Sequence, residues 1–288
     1  MKKKIGIILL SIVAILIAAC GSKQTTPAPE TTNAPETVSE SASAPKELTA
    51  ITVAASPTPH AEILYQVVDD MKELGYDLKV QEFSDYVLPN LAVDEGDVMA
   101  NYFQHEPYLD DFNAERNTHI VSIGKIHYEP FGIYKGTNDS LELSAGDKIA
   151  VPNDVTNEAR SLNLLEAAGV IKLKDGVGLT ATKLDIVENP YNVEIVELEA
   201  AQIPRALDSV AVACMNGNYA IEANYKVSDA IYVEEQSSDA AQTYANILCV
   251  KEGDENAAWA KDLYNCLKSQ KVKDFIDKTY DKSVIAID

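Results

Sequence analysis

Arg160 carries a side chain that can bind an anionic group in a defined orientation. Its guanidinium is a planar fork that pairs with a carboxylate through two parallel hydrogen bonds, and it lies on the first turns of a helical pattern over residues 157–168. Asn216 and Asn246 carry amides, which both donate and accept hydrogen bonds and can therefore hold a carboxylate and an ammonium group together. The competing interpretations are a solvated surface position for Arg160 and capping or turn formation for the two asparagines.

A set of aromatic and heterocyclic side chains could form a second part of the same site. They are Tyr86, Phe103, His105 and Tyr108. Together they would provide an apolar wall with one polar nitrogen, and a sulfur atom packs favourably against ring edges, by about 0.3 to 1.5 kcal/mol per contact. Such a wall would select an apolar, polarizable group such as a thioether. Aromatic residues more often belong to a hydrophobic core, and from the residues alone that alternative stays open.

The elements that must position these residues follow from hydrophobic periodicity. Apolar runs of strand length alternate with segments in which apolar residues recur at helical spacing. The predicted strands are residues 51–55, 77–83, 98–103, 148–151, 194–198 and 210–215. The predicted helices are residues 61–74, 85–91, 107–116, 157–168, 203–207, 216–223, 256–269 and 272–280. This alternation predicts an α/β fold with helices packed on mostly parallel sheets.

Two further apolar runs, residues 127–134 and 244–250, lie between two sets of these units and are interpreted as crossings. We therefore predict two lobes joined by two crossover strands, each lobe a mostly parallel sheet flanked by helices, as in periplasmic binding proteins. The first lobe would comprise residues 48–130 and 245–288, and the second residues 131–244. Ligands bind outside the carboxyl ends of the strands in open α/β sheets, so two facing lobes would form one cleft that closes about a hinge.

The first twenty residues predict a secretory signal followed by a lipid anchor. Lysines at positions 2–4 precede an apolar run over residues 5–17, which is shorter than the about 20 residues of a membrane span. Ile17-Ala18-Ala19-Cys20 resembles the lipobox of bacterial lipoproteins. The resemblance implies a signal peptide over residues 1–19, lipidation of Cys20 and anchoring to the extracytoplasmic face of the cell membrane. Residues 20–47, rich in Thr, Pro, Ala, Glu and Ser, would form a disordered tether.

Composition and motif content argue against several other classes of protein. The formal net charge of -21 would repel nucleic acid and anionic membrane surfaces. Histidines at positions 60, 105, 119 and 127 form no His-rich loop for metal capture, and no Gly-x-Ser-x-Gly nucleophile motif occurs. Cysteines 214, 249 and 266 are widely spaced without a Cys-x-x-Cys pair. The sequence is compatible with one disulfide among the three and equally with buried thiols. We expect neither an enzyme nor a protein that carries a metal or cofactor.

Several motifs, in one order along the chain, resemble those of the NlpA/MetQ family of methionine-binding lipoproteins. They are Pro59-His60-Ala61-Glu62-Ile63-Leu64, Asp85-Tyr86-Val87-Leu88-Pro89-Asn90, Ala100-Asn101-Tyr102-Phe103-Gln104-His105-Glu106-Pro107-Tyr108-Leu109, Val151-Pro152-Asn153-Asp154 with Asn157-Glu158-Ala159-Arg160, Glu197-Leu198-Glu199-Ala200-Ala201-Gln202, and Asn216-Gly217-Asn218-Tyr219-Ala220. The resemblance runs from about residue 52 to the C-terminus. It implies the two-lobed substrate-binding fold, an amino-acid ligand, and an ABC permease with its ATPase as the partner.

The resemblance also implies which residues contact the ligand. Arg160 would bind the ligand carboxylate, Asn216 and Asn246 would contact the ligand, and the four aromatic and heterocyclic residues would line the pocket for its side chain. His60 is interpreted as a packing or capping residue, and Tyr102 would narrow the pocket if it pointed into the cleft. L-Methionine is the leading ligand. The alternatives are another small amino acid, a methionine-containing dipeptide, or a purely structural surface lipoprotein.

Overall fold

The computed structural model describes residues 47–235 and 238–288. The expected signal peptide, the lipidated Cys20 and nearly all of the expected tether lie outside the described residues. Among the residues that are described, no helix is both long and apolar enough to cross a bilayer.

Strands and helices alternate along most of the described chain. The strands are β1 Thr49–Ala55, β2 Tyr76–Glu82, β3 Ala100–His105, β4 Ile120–Tyr128, β5 Gly132–Lys135, β6 Lys148–Pro152, β7 Lys172–Leu173, β8 Ile186–Glu188, β9 Glu194–Leu198, β10 Val212–Met215, β11 Tyr232–Val233, β12 Ala245–Lys251 and β13 Ile285–Ala286. The α-helices are α1 Glu62–Tyr65, α2 Val68–Glu73, α3 Leu88–Glu95, α4 Glu106–Arg116, α5 Val155–Ala167, α6 Ile203–Ala206, α7 Gly217–Glu222, α8 Ser238–Thr243, α9 Ala258–Leu267 and α10 Gln270–Tyr280.

The first lobe is built on a six-stranded sheet in the order β13-β4-β12-β3-β1-β2. β1 pairs in parallel with β2 and β3, whereas β12 pairs antiparallel with β3 and β4. Buried apolar side chains of the sheet, such as Val53 and Leu248, pack against Leu64 of α1, Leu263 of α9 and Ile276 of α10 in one core. Burial of this apolar surface is the main favourable free-energy contribution that holds the helices on the sheet.

The second lobe has its own sheet and its own core. Its strands run in the order β11-β5-β10-β6-β9, with β6 parallel to β9 and β10, and β5 antiparallel to β10 and β11. The core joins Ile133, Val151 and Val212 of the sheet to Leu162 of α5. β7 and β8 form a separate two-stranded sheet.

The two-lobed α/β fold predicted from the sequence is confirmed, but the sheets are mixed rather than mostly parallel. Parallel pairing requires a crossover that returns the chain to the same end of the sheet. β12 enters the first sheet directly from the second lobe and therefore runs against its neighbours β3 and β4. The periodicity of the sequence does not carry this information.

The connections between the lobes differ from the predicted crossover strands. The run over residues 127–134 is two strands, β4 and β5, joined by residues 129–131. Pro130 interrupts the pairing because it has no N–H to donate. The second connection covers residues 234–244, and β12 itself is an interior strand of the first sheet. Domain limits at 130/131 and 244/245 remain a proposal.

The helix predicted over residues 61–74 is broken in the middle. α1 ends at Tyr65 and α2 begins at Val68, with the N–H groups of Gln66 and Val67 bonded three residues back, to Ile63 and Leu64. Adjacent β-branched valines restrict side-chain rotation and weaken the helix there. Apolar side chains on both sides of the break, such as Leu64 and Met71, still pack into the core of the first lobe.

Candidate ligand-binding site

A cavity lies where the two lobes face each other. All seven ligand-binding residues predicted from the sequence line it, and their role in binding stays a prediction. The cavity is lined by Tyr86, Phe103, Gln104, His105, Tyr108, Glu129, Asn157, Arg160, Asn216, Gly217, Asn218 and Asn246.

The N-terminus of α5 fixes the orientation of two amides in the cavity wall. Asp154 caps this helix, and its carboxylate accepts hydrogen bonds from the backbone N–H and the side-chain Nδ2 of Asn157, each 2.9 Å long. Asn157 must therefore present Oδ1 on its other side, where it accepts from Nδ2 of Asn216 at 2.8 Å. The oxygen of Asn216 is left on the opposite edge of its amide. It is buried and has no hydrogen-bond partner among the described residues.

His105 joins the lobes across the cavity. Its Nδ1 accepts from the backbone N–H of Tyr108 at 3.2 Å, so the ring proton is on Nε2, which donates to Oδ1 of Asn157 at 3.2 Å. Burial, reinforced by the positive charge of Arg160, lowers the pKa of His105 to about 3. The imidazole is therefore neutral at physiological pH, with one defined donor.

Asn218 leaves a donor unpaired in the same wall. Its Oδ1 accepts a hydrogen bond from the hydroxyl of Tyr86, which lies in the other lobe. Its Nδ2 is buried and has no partner within the described part of the chain. A buried amide without a partner costs about 1 to 3 kcal/mol. The unpaired acceptor of Asn216 and the unpaired donor of Asn218 therefore both favour a polar ligand.

Arg160 is 5% exposed and already has partners within the protein. Nε donates to Oε2 of Glu234 at 3.0 Å, and Nη2 donates to the other oxygen of Glu234 and to the carbonyl of Glu129, the latter at 3.2 Å. The guanidinium carbon also lies 4.0 Å from the ring centre of Tyr244. These bonds use three of the five N–H donors of arginine. Nη1 makes none of these three bonds, so it is the end of the guanidinium group that could contact a ligand.

Glu129 is a charged residue of the cavity that the sequence analysis missed. It lies in the first connection between the lobes, and its Oε1 accepts from Nε2 of His127 at 2.7 Å. Burial raises the pKa of its carboxyl, while His60, the backbone N–H of Asn218 and Arg160 act in the opposite direction. With these donors around it, the carboxylate is held as an acceptor beside the cavity.

His60, His127 and Glu129 each bring one ligand-type atom within 4.8 Å of the others. Nε2 of His127 is bonded to Glu129, and Nε2 of His60 lies 2.8 Å from Oδ1 of Asn246. The hydroxyl of Tyr102 donates to Nδ1 of His127. Both Nε2 atoms are thus engaged, and we interpret the cluster as a hydrogen-bonded network and assign no cofactor to it.

The aromatic wall forms one cluster in the first lobe. The ring centres of Tyr86 and Phe103 lie 5.8 Å apart, those of Tyr86 and Tyr108 5.7 Å, and those of Phe103 and Tyr108 6.1 Å. The Tyr108 pairs are edge-to-face, the arrangement that aromatic rings prefer. Tyr102, considered as a residue that could narrow the pocket, is fully buried behind the cavity and does not line it.

The lobes are in contact across the cavity. Besides the bonds of His105 and Tyr86 to the second lobe, the hydroxyl of Tyr219 donates to the carbonyl of Ser84 at 3.2 Å, and the rings of Tyr86 and Tyr219 lie 4.9 Å apart. The cavity wall thus also contains three residues that the sequence analysis did not select, namely Asn157, Asn218 and Glu129. Asn157 could have been found from the sequence, because it lies three residues before Arg160 and therefore on the same helix face.

The family model described as NlpA lipoprotein matches residues 51–287 of the chain. The chain belongs to the NlpA lipoprotein family. The resemblance found in the motifs is thereby confirmed. Among NlpA-family relatives, the chain is similar to the methionine-binding lipoprotein MetQ of Bacillus subtilis, with 40% identity over 293 aligned positions that cover 100% of this chain and 99% of that protein. It is also 40% identical over 245 positions to the D-methionine-binding lipoprotein MetQ of Salmonella typhimurium, covering 84% and 88% of the two chains.

Solved structures of other proteins share the fold. A lipoprotein from Ruminococcus gnavus superposes with a TM-score of 0.82 and 57% identity, covering 83% of this chain and 100% of that one. A nutrient binding protein from Burkholderia cenocepacia, bound to methionine, superposes with a TM-score of 0.77 and 44% identity, covering 82% and 99%.

Proposed function

We propose that this lipoprotein is the substrate-binding component of an ABC importer and that it captures methionine between its lobes. The observation that carries the proposal is that the cavity wall contains both an unpaired hydrogen-bond acceptor and an unpaired hydrogen-bond donor. An acceptor, Oδ1 of Asn216, and a donor, Nδ2 of Asn218, both lack partners within the described chain, beside the buried charges of Arg160 and Glu129. A zwitterionic amino acid supplies the complementary groups. The relatives named for methionine binding and the methionine-bound Burkholderia structure support the choice of side chain.

Each part of methionine has a matching part of the cavity. The carboxylate would accept hydrogen bonds from Nη1 of Arg160 and from Nδ2 of Asn218. The ammonium would lie against Glu129 and Oδ1 of Asn216, because a buried carboxylate favours a nearby cation. The thioether would pack on the aromatic wall, where ring edges attract sulfur.

The proposal includes a place and a partner for the protein. Cys20 would carry the lipid that holds the chain at the extracytoplasmic face of the cell membrane. An ABC permease with its ATPase would receive the ligand when the lobes open. The polar groups of the cavity serve recognition in this scheme, and no catalytic step is assigned to them.

The main alternatives concern the ligand. Another small amino acid would use the same charges and differ only at the aromatic wall. A methionine-containing dipeptide would need more space between the lobes than a single residue. A purely structural surface lipoprotein would have no use for unpaired buried amides, which cost stability when left empty.

The test is to identify what the protein binds. The soluble chain from Ser22 onward is purified, unfolded to release small molecules, and the extract is analysed by mass spectrometry. The refolded protein is then titrated calorimetrically with L- and D-methionine, the other amino acids and methionine dipeptides. We expect methionine to be recovered and rebound. Recovery of another amino acid or a dipeptide would move the specificity, and failure of every ligand to bind would overturn the proposal.

A further inference from the structure

His60 stands behind the cavity and touches two residues that line it. Its Nε2 lies 2.8 Å from Oδ1 of Asn246 and 3.4 Å from Oε1 of Glu129. The ring is completely buried, and its Nδ1 has no partner among the described residues. A neutral imidazole carries one N–H, and among the described residues only Nε2 has acceptors within reach. The proton therefore belongs on Nε2.

This proton determines which way the amide of Asn246 points. Because Nε2–H of His60 donates to Oδ1, the group that Asn246 can offer to the cavity is its NH₂. Asparagine oxygen and nitrogen have nearly the same shape, so without a neighbour that distinguishes them the amide can take either orientation. A reversed amide would present an oxygen to the ligand and would repel a carboxylate.

The surrounding groups keep His60 in this state. Burial lowers its pKa to about 4, the carboxylate of Glu129 opposes that effect, and His127 adds to it. His127 is itself held by Tyr102 on one side and Glu129 on the other, so its proton is committed to Glu129. The ring of Tyr102 meets that of His60 edge-on, with centres 4.8 Å apart. His60 therefore remains a neutral donor in a fixed position.

We propose that His60 is a positioning residue that makes the site selective for a free carboxylate, by holding the amide of Asn246 with its NH₂ group toward the ligand. This inference rests on the proposed amino-acid function and extends it to a residue that does not line the cavity. It predicts discrimination against ligands in which an alcohol replaces the carboxylate. A residue that only supported the fold would affect such ligands and methionine alike.

The experiment compares methionine with methioninol, which keeps the ammonium and thioether but lacks the carboxylate. Affinities are measured by calorimetry for the wild-type soluble chain, His60→Leu, His60→Asn and His60→Gln. Leucine has no donor, and asparagine is too short to replace Nε2, whereas the amide nitrogen of glutamine can take its place. His119→Gln, at an exposed histidine, is the matched control.

We expect the preference of the wild type for methionine over methioninol to fall at least 10-fold in His60→Leu and His60→Asn. His60→Gln should retain most of it, and His119→Gln all of it. Melting temperatures show which variants are folded, and either His60→Leu or His60→Asn suffices for the comparison. An unchanged preference in a folded His60→Leu or His60→Asn variant, or an equal loss for both ligands, would overturn the role of His60 while leaving the proposed function intact. A wild-type protein that binds no amino acid would overturn both proposals.

Discussion

Replacing Arg160 by alanine is the most informative perturbation of the site, because this side chain has a partner in the protein and, on our proposal, one in the ligand. Its ion-pair partner Glu234 is 12% exposed at the side chain. Removal of one member of a buried pair costs about 3 to 5 kcal/mol of stability. Loss of a buried partner for the ligand carboxylate costs about 2 to 5 kcal/mol of binding free energy, a rise in Kd of about 30- to 5,000-fold.

A double variant separates the effect on stability from the effect on binding. Arg160→Met combined with Glu234→Gln removes both charges with similar volumes, an exchange that is often neutral for stability. Glutamine at position 234 can still accept from the hydroxyl of Tyr128 and the N–H of Phe131. We expect a melting temperature near that of the wild type but no recovery of methionine binding.

Calorimetry on refolded, ligand-free protein measures the binding, and circular dichroism measures the unfolding. Arg116→Met is the control, since Arg116 is exposed and stacks on Phe112. Methionine affinity within about threefold of wild type in the folded double variant would refute contact between Arg160 and the ligand. A double variant as unstable as Arg160→Ala would refute the ion-pair explanation of stability.

Three other outcomes are expected. Asn216→Leu removes the unpaired Oδ1 and should raise the Kd for methionine about 10- to 150-fold in calorimetry, since a hydrogen bond to a charged group contributes about 1.5 to 3 kcal/mol; an unchanged Kd would contradict it. Tyr86→Phe removes the bond to Asn218 across the lobes and should speed methionine dissociation about 2- to 10-fold in stopped-flow measurements. Burial lowers the pKa of His60 to about 4 and of His105 and His127 to about 3. The contribution of each histidine to stability should therefore be constant above the unfolded-state pKa of about 6.5 and should fall below it, on the order of 1 kcal/mol per pH unit, until its folded-state pKa is reached. Thermal melts of His60→Gln should show a shallower fall than those of wild type or His119→Gln.

Local patterns were sufficient for elements whose pairing is also local. The strand predicted at residues 51–55 and the helix at 107–116 match β1 and α4 to within two residues at each end. β4 was recognised only at its end, because its middle carries Ser122 and Lys125 and lacks a continuous apolar run. The position of β12 between β3 and β4 depends on pairing over more than 100 residues, which no window of sequence contains.

In the site, the sequence was sufficient to select residues by type but not to predict how their side chains are oriented. Arg160 and Asn216 could be selected because their side chains match a charged ligand and fall in recognisable motifs. Glu129 carried a usable signal, as a carboxylate in an aromatic run directly before Pro130. Which edge of each asparagine faces the cavity depends on Asp154, His60 and Tyr86, and only the folded chain brings these together.

The place of β12 also orders the events of folding. β3 and β4 are neighbours in the chain but not in the sheet, because β12 lies between them. In the order of the chain, all strands from β5 to β11 come before β12, so the sheet of the second lobe is complete without it. The sheet of the first lobe lacks the strand between β3 and β4 until residue 251 has been added. Long-range pairing of this kind is slow. We therefore expect the second lobe to fold first. Insertion of β12 between β3 and β4 is expected to be the late step that brings the two halves of the cavity together.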